Sequence, residues 1–567
     1  MKNTARSFLV VTGFSIATRL ASFIFKMWMS RSLGAEIVGL YQIALSVLLM
    51  LFTITAGAPT VLSRKVAEAG VNGDIKKQNA LLSASAVMGL GVSAIICAVL
   101  YALGDRLSFL FSNPQCLPLF FIMLPTLLTS TLYASLRSWF WGRKNFIAFS
   151  STELVDEIVK IVLSIVFAGG LVGTISGARG IALAMTISDA FCVLVLAILF
   201  FIAGGRIAKP KGFKQLTLGI VPLSATRIIT SLGASLTALV IPQMLVKGGL
   251  SVAEATAEYG RVAGMALPLI MAPVTFISAL AIVLIPDVAS LRSKNDVGAL
   301  RAKLSSCVTF GVVIASFFFA VYLPLGTSLG KILFGDEKAG NFVSYCSMML
   351  FPIAIAQSTT PMLNSLGKEK NTLLHTFLGA LAMLPCIIFM PRYIGVYAMA
   401  LGSGVCFLVI SIANFIVLKK EVGSFANLKK DCTLVSLSIP LAVGSAFLAR
   451  LLRIYANHFT AIVVVGIYVV FLFFVTANAF DVIDLVGCVK MLLPSKAIKT
   501  QSRRNSAKKD KALKKEKAKK PPMVSSGTKK HNEKSRKTRK SDGLQTTPSA
   551  ETRKRRNIKA KAQNDSA

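Results

Sequence analysis

Histidine occurs three times in 567 residues, as His375, His458 and His531. So few, and so far apart, they do not make a metal site, and no metal or other cofactor is expected. The nine cysteines include no C-x-x-C pair. Most sit inside apolar stretches, where a lone thiol packs as a small hydrophobe. There is no G-x-x-x-x-G-K-[ST] loop, so the chain does not drive itself with ATP. No large hydrophilic insertion, outer-loop D-x-D or Ser/His/Asp set points to a membrane glycosyltransferase or hydrolase, and no enzyme activity is expected. Acids are also scarce, with 25 Asp+Glu against 63 Lys+Arg.

What fills the chain is apolar residue: 54% is hydrophobic and the mean hydropathy is +0.66. That is too apolar for a soluble globular protein of this length. The bilayer is its main solvent, and stretches of about 20 apolar residues satisfy their own backbone there as helices. The pattern predicts an all-α integral membrane protein with fourteen transmembrane helices, at 8–29, 37–62, 79–103, 117–141, 151–171, 178–203, 216–246, 260–290, 304–325, 342–363, 372–391, 396–418, 433–449 and 461–480. The first run holds Arg19 and Lys26 and has no cleavage motif, so it reads as a retained helix.

The expected organisation is a six-helix lobe at 1–203, a basic linker at 204–215, a second six-helix lobe at 216–418, two further helices within 419–489, and a tail at 490–567. With the N-terminus inside, cytoplasmic segments hold 22 Lys/Arg and external ones hold nine. The asymmetry predicts cytoplasmic N- and C-termini in a bacterial plasma membrane. The tail carries 26 Lys/Arg against six Asp/Glu, a net +20 of the chain's +38, with almost no aromatics. Such a composition cannot bury enough surface to fold and is drawn to anionic lipid. Without aromatics to stack on bases, no nucleic-acid partner is expected.

Within the spans, charge is rare. Ala17-Thr18-Arg19 recurs as Ala225-Thr226-Arg227, at matching places in the first helix of each lobe. An intramembrane charge costs roughly 2.5–3.5 kcal/mol on insertion scales, so each arginine is expected to face a wet interior. Arg19 and Lys26 are two turns apart, and Thr12, Ser15 and Ser22 extend the same polar stripe. Arg261 opens the eighth helix after Glu254 and Glu258 and is either a cavity residue or an interfacial cation paired with those acids. Asp156 and Lys160 stand at i,i+4 in the fifth helix, the favourable order for a structural or coupling ion pair. Pro268 and Pro273, with Gly264, predict a bent eighth helix. Cations from both lobes around one cavity point to an anionic cargo.

Two stretches carry a family resemblance. Arg31-Ser32-Leu33-Gly34-Ala35, Gly39-Leu40-Tyr41 and Ala58-Pro59 to Ala67-Glu68 make the first, and Tyr259-Gly260-Arg261-Val262-Ala263-Gly264-Met265-Ala266-Leu267-Pro268-Leu269 with Leu284-Ile285-Pro286 makes the second. Together they resemble the stage V sporulation protein B and lipid II flippase branch of the multidrug/oligosaccharidyl-lipid/polysaccharide (MOP) exporter superfamily. The resemblance covers about residues 1–480. It implies two lobes around a cavity, alternating access, and a groove at the last two helices for a polyprenyl tail. Arg19 and Arg261 match cavity arginines of those flippases, and Asp156 and Lys160 match a recurring acid and base. A second helix 1 arginine of the pattern is Phe25 here, beside Lys26, and an arginine usual in helix 2 falls near Thr53.

The resemblance implies a monomeric flippase for an undecaprenyl-pyrophosphate-linked saccharide, such as the peptidoglycan precursor lipid II, serving cell-wall or spore-cortex synthesis. Arg19, Lys26, Arg227 and Arg261 would bind the diphosphate. Membrane lipids and cell-wall synthesis proteins would be further partners. The alternatives are a cation-coupled multidrug exporter of the same fold, a carrier of another lipid-linked saccharide, and a nontransporting scaffold.

Overall fold

The computed structural model describes residues 2–55, 58–71, 73–170, 177–455 and 457–479. The chain divides into two units, Met1–Leu485 and Val486–Ala567. Every described residue lies in the first, and the basic tail lies outside the described residues.

The described residues are almost wholly helical. In order, the helices are α1 (Lys2–Thr55), α2 (Ala58–Val71), α3 (Ile75–Leu103), α4 (Cys116–Met123), α5 (Thr126–Gly142), α6 (Phe146–Ala168), α7 (Gly177–Ile202), α8 (Phe213–Lys247), α9 (Val252–Gly260), α10 (Leu267–Met271), α11 (Val274–Ser293), α12 (Val297–Phe334), α13 (Glu337–Cys346), α14 (Leu350–Ser365), α15 (Glu369–Phe389), α16 (Pro391–Ile394), α17 (Tyr397–Val422), α18 (Leu428–Tyr455) and α19 (His458–Ala479). The described residues of the fourteen expected spans fall mainly on these helices, the fourth, eighth and tenth spans on more than one each, and residues 56–57, 171 and 480 of the expected spans lie outside the described residues.

Ten helices among the described residues are long and apolar enough to cross a membrane, or eleven when a bent pair counts as one span. The difference from fourteen has local causes. Gly34, at φ 84°, joins two helices into α1 at a kink that a side chain would strain. α6 carries Glu153, Asp156, Glu157 and Lys160, which spoil its apolarity. α8 contributes only a shorter apolar stretch, Ser231–Lys247.

Several elements extend beyond their apolar windows because polar caps start them. Asp74 accepts the Lys77 N–H ahead of α3, and Asp296 accepts the Ala299 N–H ahead of α12. Ser251 and Glu254 form a capping box that starts α9 eight residues before the expected span. The stretch carrying Arg64, Lys65 and Glu68, expected as loop, is helical in α2. Pro125, lacking an N–H, separates α4 from α5. The expected bend in the eighth span is present: a π-helical turn at Arg261–Ala266 leads into α10, and a 49° break follows before α11.

The buried core has a directional form. One continuous cluster unites α1, α4, α8, α9, α12, α13, α15 and α17 around Met29, Ile43, Leu245, Tyr259, Met265 and Phe342. Toward the other end the core divides. Trp139, Phe140, Leu62, Phe200 and Leu216 form one cluster, while Leu304, Leu363, Leu418 and Leu434 form another. α18 and α19 pack on α12 through Ala442, Val465 and Val469.

At the united end the backbones touch. A Cβ on Gly260 would stand 2.2 Å from the Ala35 carbonyl oxygen, and one on Gly39 would stand 2.1 Å from that of Thr256. Asn113 Nδ2 donates to Thr256 Oγ1 at 3.1 Å, and Ser30 Oγ donates to the Phe334 carbonyl at 2.9 Å. The helices are in close backbone contact there, whereas the other end holds two separate buried clusters.

Candidate functional site: a charged cavity beside Arg19

Ser15, Thr18 and Arg19 of α1 face a cavity of about 380 Å³. Thr129, Ser130 and Tyr133 of α5, Glu153, Asp156 and Glu157 of α6, and Asp189 and Cys192 of α7 complete its wall. Arg19 itself is exposed, so its guanidinium keeps solvent while the helix stays apolar elsewhere. Of the stripe read from the sequence, Ser15 and Arg19 line this cavity.

The lining is not the uniformly basic one that the sequence suggested. Four acids, Glu153, Asp156, Glu157 and Asp189, stand beside Arg19. Arg137 binds Glu153 at 2.6 Å, and its guanidinium lies over the rings of Trp141 and Phe149 at 5.6 and 5.0 Å. Lys160 Nζ meets Glu157 Oε2 at 2.5 Å, with side-chain exposures of 17% and 9%. Lys26 is close enough to interact with both members of that pair. Four bases, Arg19, Lys26, Arg137 and Lys160, thus offset four acids.

Lys160 makes its close contact with Glu157, while Asp156 interacts with the same lysine at longer range. Positions three and four residues apart both neighbour a lysine on a helix. Glu157 is buried with Lys160 near Lys26 and Tyr41 of α1, whereas Asp156 turns toward Ser188 and Asp189 of α7. Asp156 Oδ1 is buried without a hydrogen-bond partner among the described residues.

The other two arginines lie elsewhere. Arg227 on α8 is exposed, and its Nη2 donates to Thr60 Oγ1 of α2 at 3.3 Å. One turn further, Ser231 Oγ and Thr53 Oγ1 are 3.1 Å apart, again joining α8 to the first set of helices. Arg261 sits at the united end with Glu258 at 2.9 Å and Asp336 at 2.7 Å. Its cavity, about 180 Å³ and shared with Lys338, Asn341 and Tyr397, is separate from that of Arg19. Arg19, Arg227 and Arg261 are therefore not gathered into one pocket in this conformation. The expected partner Glu258 is found, and Asp336 replaces Glu254, which is occupied in capping α9.

Residues 4–292, half of the chain, match the polysaccharide biosynthesis protein family. The chain belongs to that family. Stage V sporulation protein B of Bacillus subtilis (strain 168) is 22% identical over 404 residues, covering 66% of this chain and 75% of that protein. A lipid II flippase, MurJ, in an inward closed conformation superimposes with a TM-score of 0.65 at 12% identity, over 82% of this chain and 99% of its own. An inward-facing multidrug resistance MATE transporter of the MOP superfamily gives 0.62 at 14% identity, over 73% and 98%. The fold is that of the MOP superfamily, as the motifs implied, and this family member is a multi-pass membrane protein.

The sequence reading expected a basic cavity and did not place the acids Glu153, Asp156, Glu157 and Asp189 in its wall. The signal was present: three carboxylates and a lysine within eight residues of one apolar helix, and a lone Asp189 on the next. Such groups are placed in a membrane only where partners or water receive them.

Proposed function

We propose that the protein is a flippase that carries an undecaprenyl-pyrophosphate-linked saccharide, lipid II in the first instance, from the inner to the outer leaflet by alternating access. It is a carrier, not an enzyme. The observation that carries this reading is the charge-lined cavity at Arg19, on the side where the core divides, in a chain of this family. One end sealed by backbone contact and the other split is the arrangement alternating access requires of one of its states. The divided end bears the lysine- and arginine-rich turns, so we place it, with both termini, in the cytoplasm. Residues 1–203 and 216–418 are the two lobes that rock, and the helices within 419–489 take the polyprenyl chain.

In this reading Arg19 and Lys26 receive the diphosphate first, from the cytoplasmic opening, with Arg227 facing them across it. Charge-assisted hydrogen bonds from arginine suit two adjacent phosphates. Arg261 joins only after exchanging Glu258 and Asp336 for phosphate, which would loosen the sealed end as cargo arrives. The acids beside Arg19 keep the empty cavity near neutrality, so the diphosphate is held without being trapped.

The four carboxylates favour a second reading, a cation-coupled exporter of cationic drugs. A side-by-side assay separates the two. Purified protein in proteoliposomes is expected to translocate fluorescent lipid II and to leave a cationic dye where it started. Dye movement without lipid II movement would establish the exporter.

A further inference from the structure

A second cavity, about 580 Å³, lies where the α2–α3 turn meets the segment joining α7 to α8. Its charged lining is four lysines, Lys76, Lys77, Lys209 and Lys211, with one acid, Asp74. Asp74 is already committed, since its Oδ1 caps α3 by accepting the Lys77 N–H at 2.9 Å. The joining segment is fastened to α3 by its backbone. Lys211 N–H donates to the Ala80 carbonyl at 3.4 Å, and Ala208 N–H donates to Ser83 Oγ at 3.4 Å. Two lysines from each of two distant segments are thereby held around one space.

Among the described residues none of the four lysines around this one space forms an ion pair. Like charges so placed repel, and the repulsion is relieved by an anion from outside. Exposed apolar residues adjoining the lining in sequence point to the kind of anion. Ile75, Ile207 and Phe213, each next in sequence to a lining residue, are 48%, 83% and 41% exposed. A soluble phosphate has no use for apolar neighbours, and a nucleic acid would call for stacked aromatics. A phospholipid uses both: phosphate among ammonium groups, acyl chains along apolar neighbours.

We propose that this cavity is a binding site for the headgroup of an anionic phospholipid, which bridges α3 and the α7–α8 segment. The site is distinct from the charged cavity at Arg19 and does not depend on which cargo is carried. A bound lipid would tie the segment between the two lobes to the first of them, so the rate of any rocking motion would follow the anionic lipid content of the membrane.

The test uses the full chain in phosphatidylcholine vesicles containing a minor fraction of phosphatidylglycerol with a photoactivatable headgroup, and maps adducts by peptide mass spectrometry. Adducts are expected on the peptides spanning 74–81 and 206–215, well above those from a photoactivatable phosphatidylcholine. The Lys76→Gln/Lys77→Gln/Lys209→Gln/Lys211→Gln variant should lose about tenfold of that yield, given the attraction each lysine exerts on an anionic lipid. Adducts on the basic tail serve as the internal reference for a folded, inserted protein. Should the quadruple variant fail to insert, Lys209→Gln/Lys211→Gln alone is expected to lose several-fold. Equal labelling by the two probes, adducts confined to 490–567, unchanged yield in the variants, or displacement by inorganic phosphate at constant ionic strength would each overturn the proposal.

Discussion

Glu157→Gln is expected to destabilise the protein by about 2–3 kcal/mol, read as a lowered unfolding midpoint in detergent or lipid nanodiscs. Removing one partner of a fully buried ion pair typically costs about 3–5 kcal/mol, because the other charge is left without compensation. The Lys160–Glu157 pair is nearly that buried, but Asp156 is one residue away and the cavity beside it is polar, so part of the loss is recovered. The double variant Glu157→Gln/Lys160→Met removes both charges and should be closer to wild type than either single variant. Additive destabilisation in the double variant would show that the two side chains act separately.

Gly260→Val is expected to have the other large effect, this time on transport as well as stability. A Cβ there meets the Ala35 carbonyl oxygen at 2.2 Å and the Gly39 nitrogen at 2.6 Å, both backbone atoms that cannot rotate aside. Overpacking of this kind costs about 1–3 kcal/mol when side chains can yield, and more where only the backbone can. The helices α1 and α9 must part, so the sealed end no longer closes. Transport should fall below about a tenth of wild type, with a lower thermal midpoint. Gly91→Ala, where an added Cβ meets nothing within 4 Å, is the matched control and should be neutral or slightly stabilising. Wild-type transport by Gly260→Val would mean that close contact at this end is not part of the cycle.

Much of the helical architecture was legible because the bilayer imposes one rule, an apolar run long enough to cross it. The described residues of the expected spans fall mainly on helices, and the proline-rich eighth span is bent where Gly264, Pro268 and Pro273 suggested. The ends were less legible. Asp74, Ser251 and Asp296 start helices in polar sequence, where hydropathy carries no signal and only capping chemistry does. Gly34 falls between the first two expected spans, and its non-helical backbone, at φ 84°, divides α1 into two helices there.

Pairing was hardest to foresee, because it depends on contacts between helices. Arg261 meets Asp336, 75 residues further on, where no spacing rule connects them. Asp156 and Lys160 have favourable spacing, yet the lysine goes to Glu157 because that face of α6 turns toward α1. The repeated Ala-Thr-Arg marked two arginines on the entry helices of the two halves. It carried no information about how far apart a given conformation holds them.

In the proposed function, the arginines of the divided end dock a lipid-linked diphosphate. The most direct measurement is lipid II binding by the full-length protein in nanodiscs, comparing wild type with Arg19→Ala, Arg19→Lys and Arg19→Ala/Arg227→Ala. A hydrogen bond to a charged group contributes about 1.5–3 kcal/mol, so Arg19→Ala should raise Kd roughly ten- to a hundredfold. Arg19→Lys should fall between the two, and the double variant should bind more weakly still. Undiminished binding by Arg19→Ala/Arg227→Ala would contradict the account.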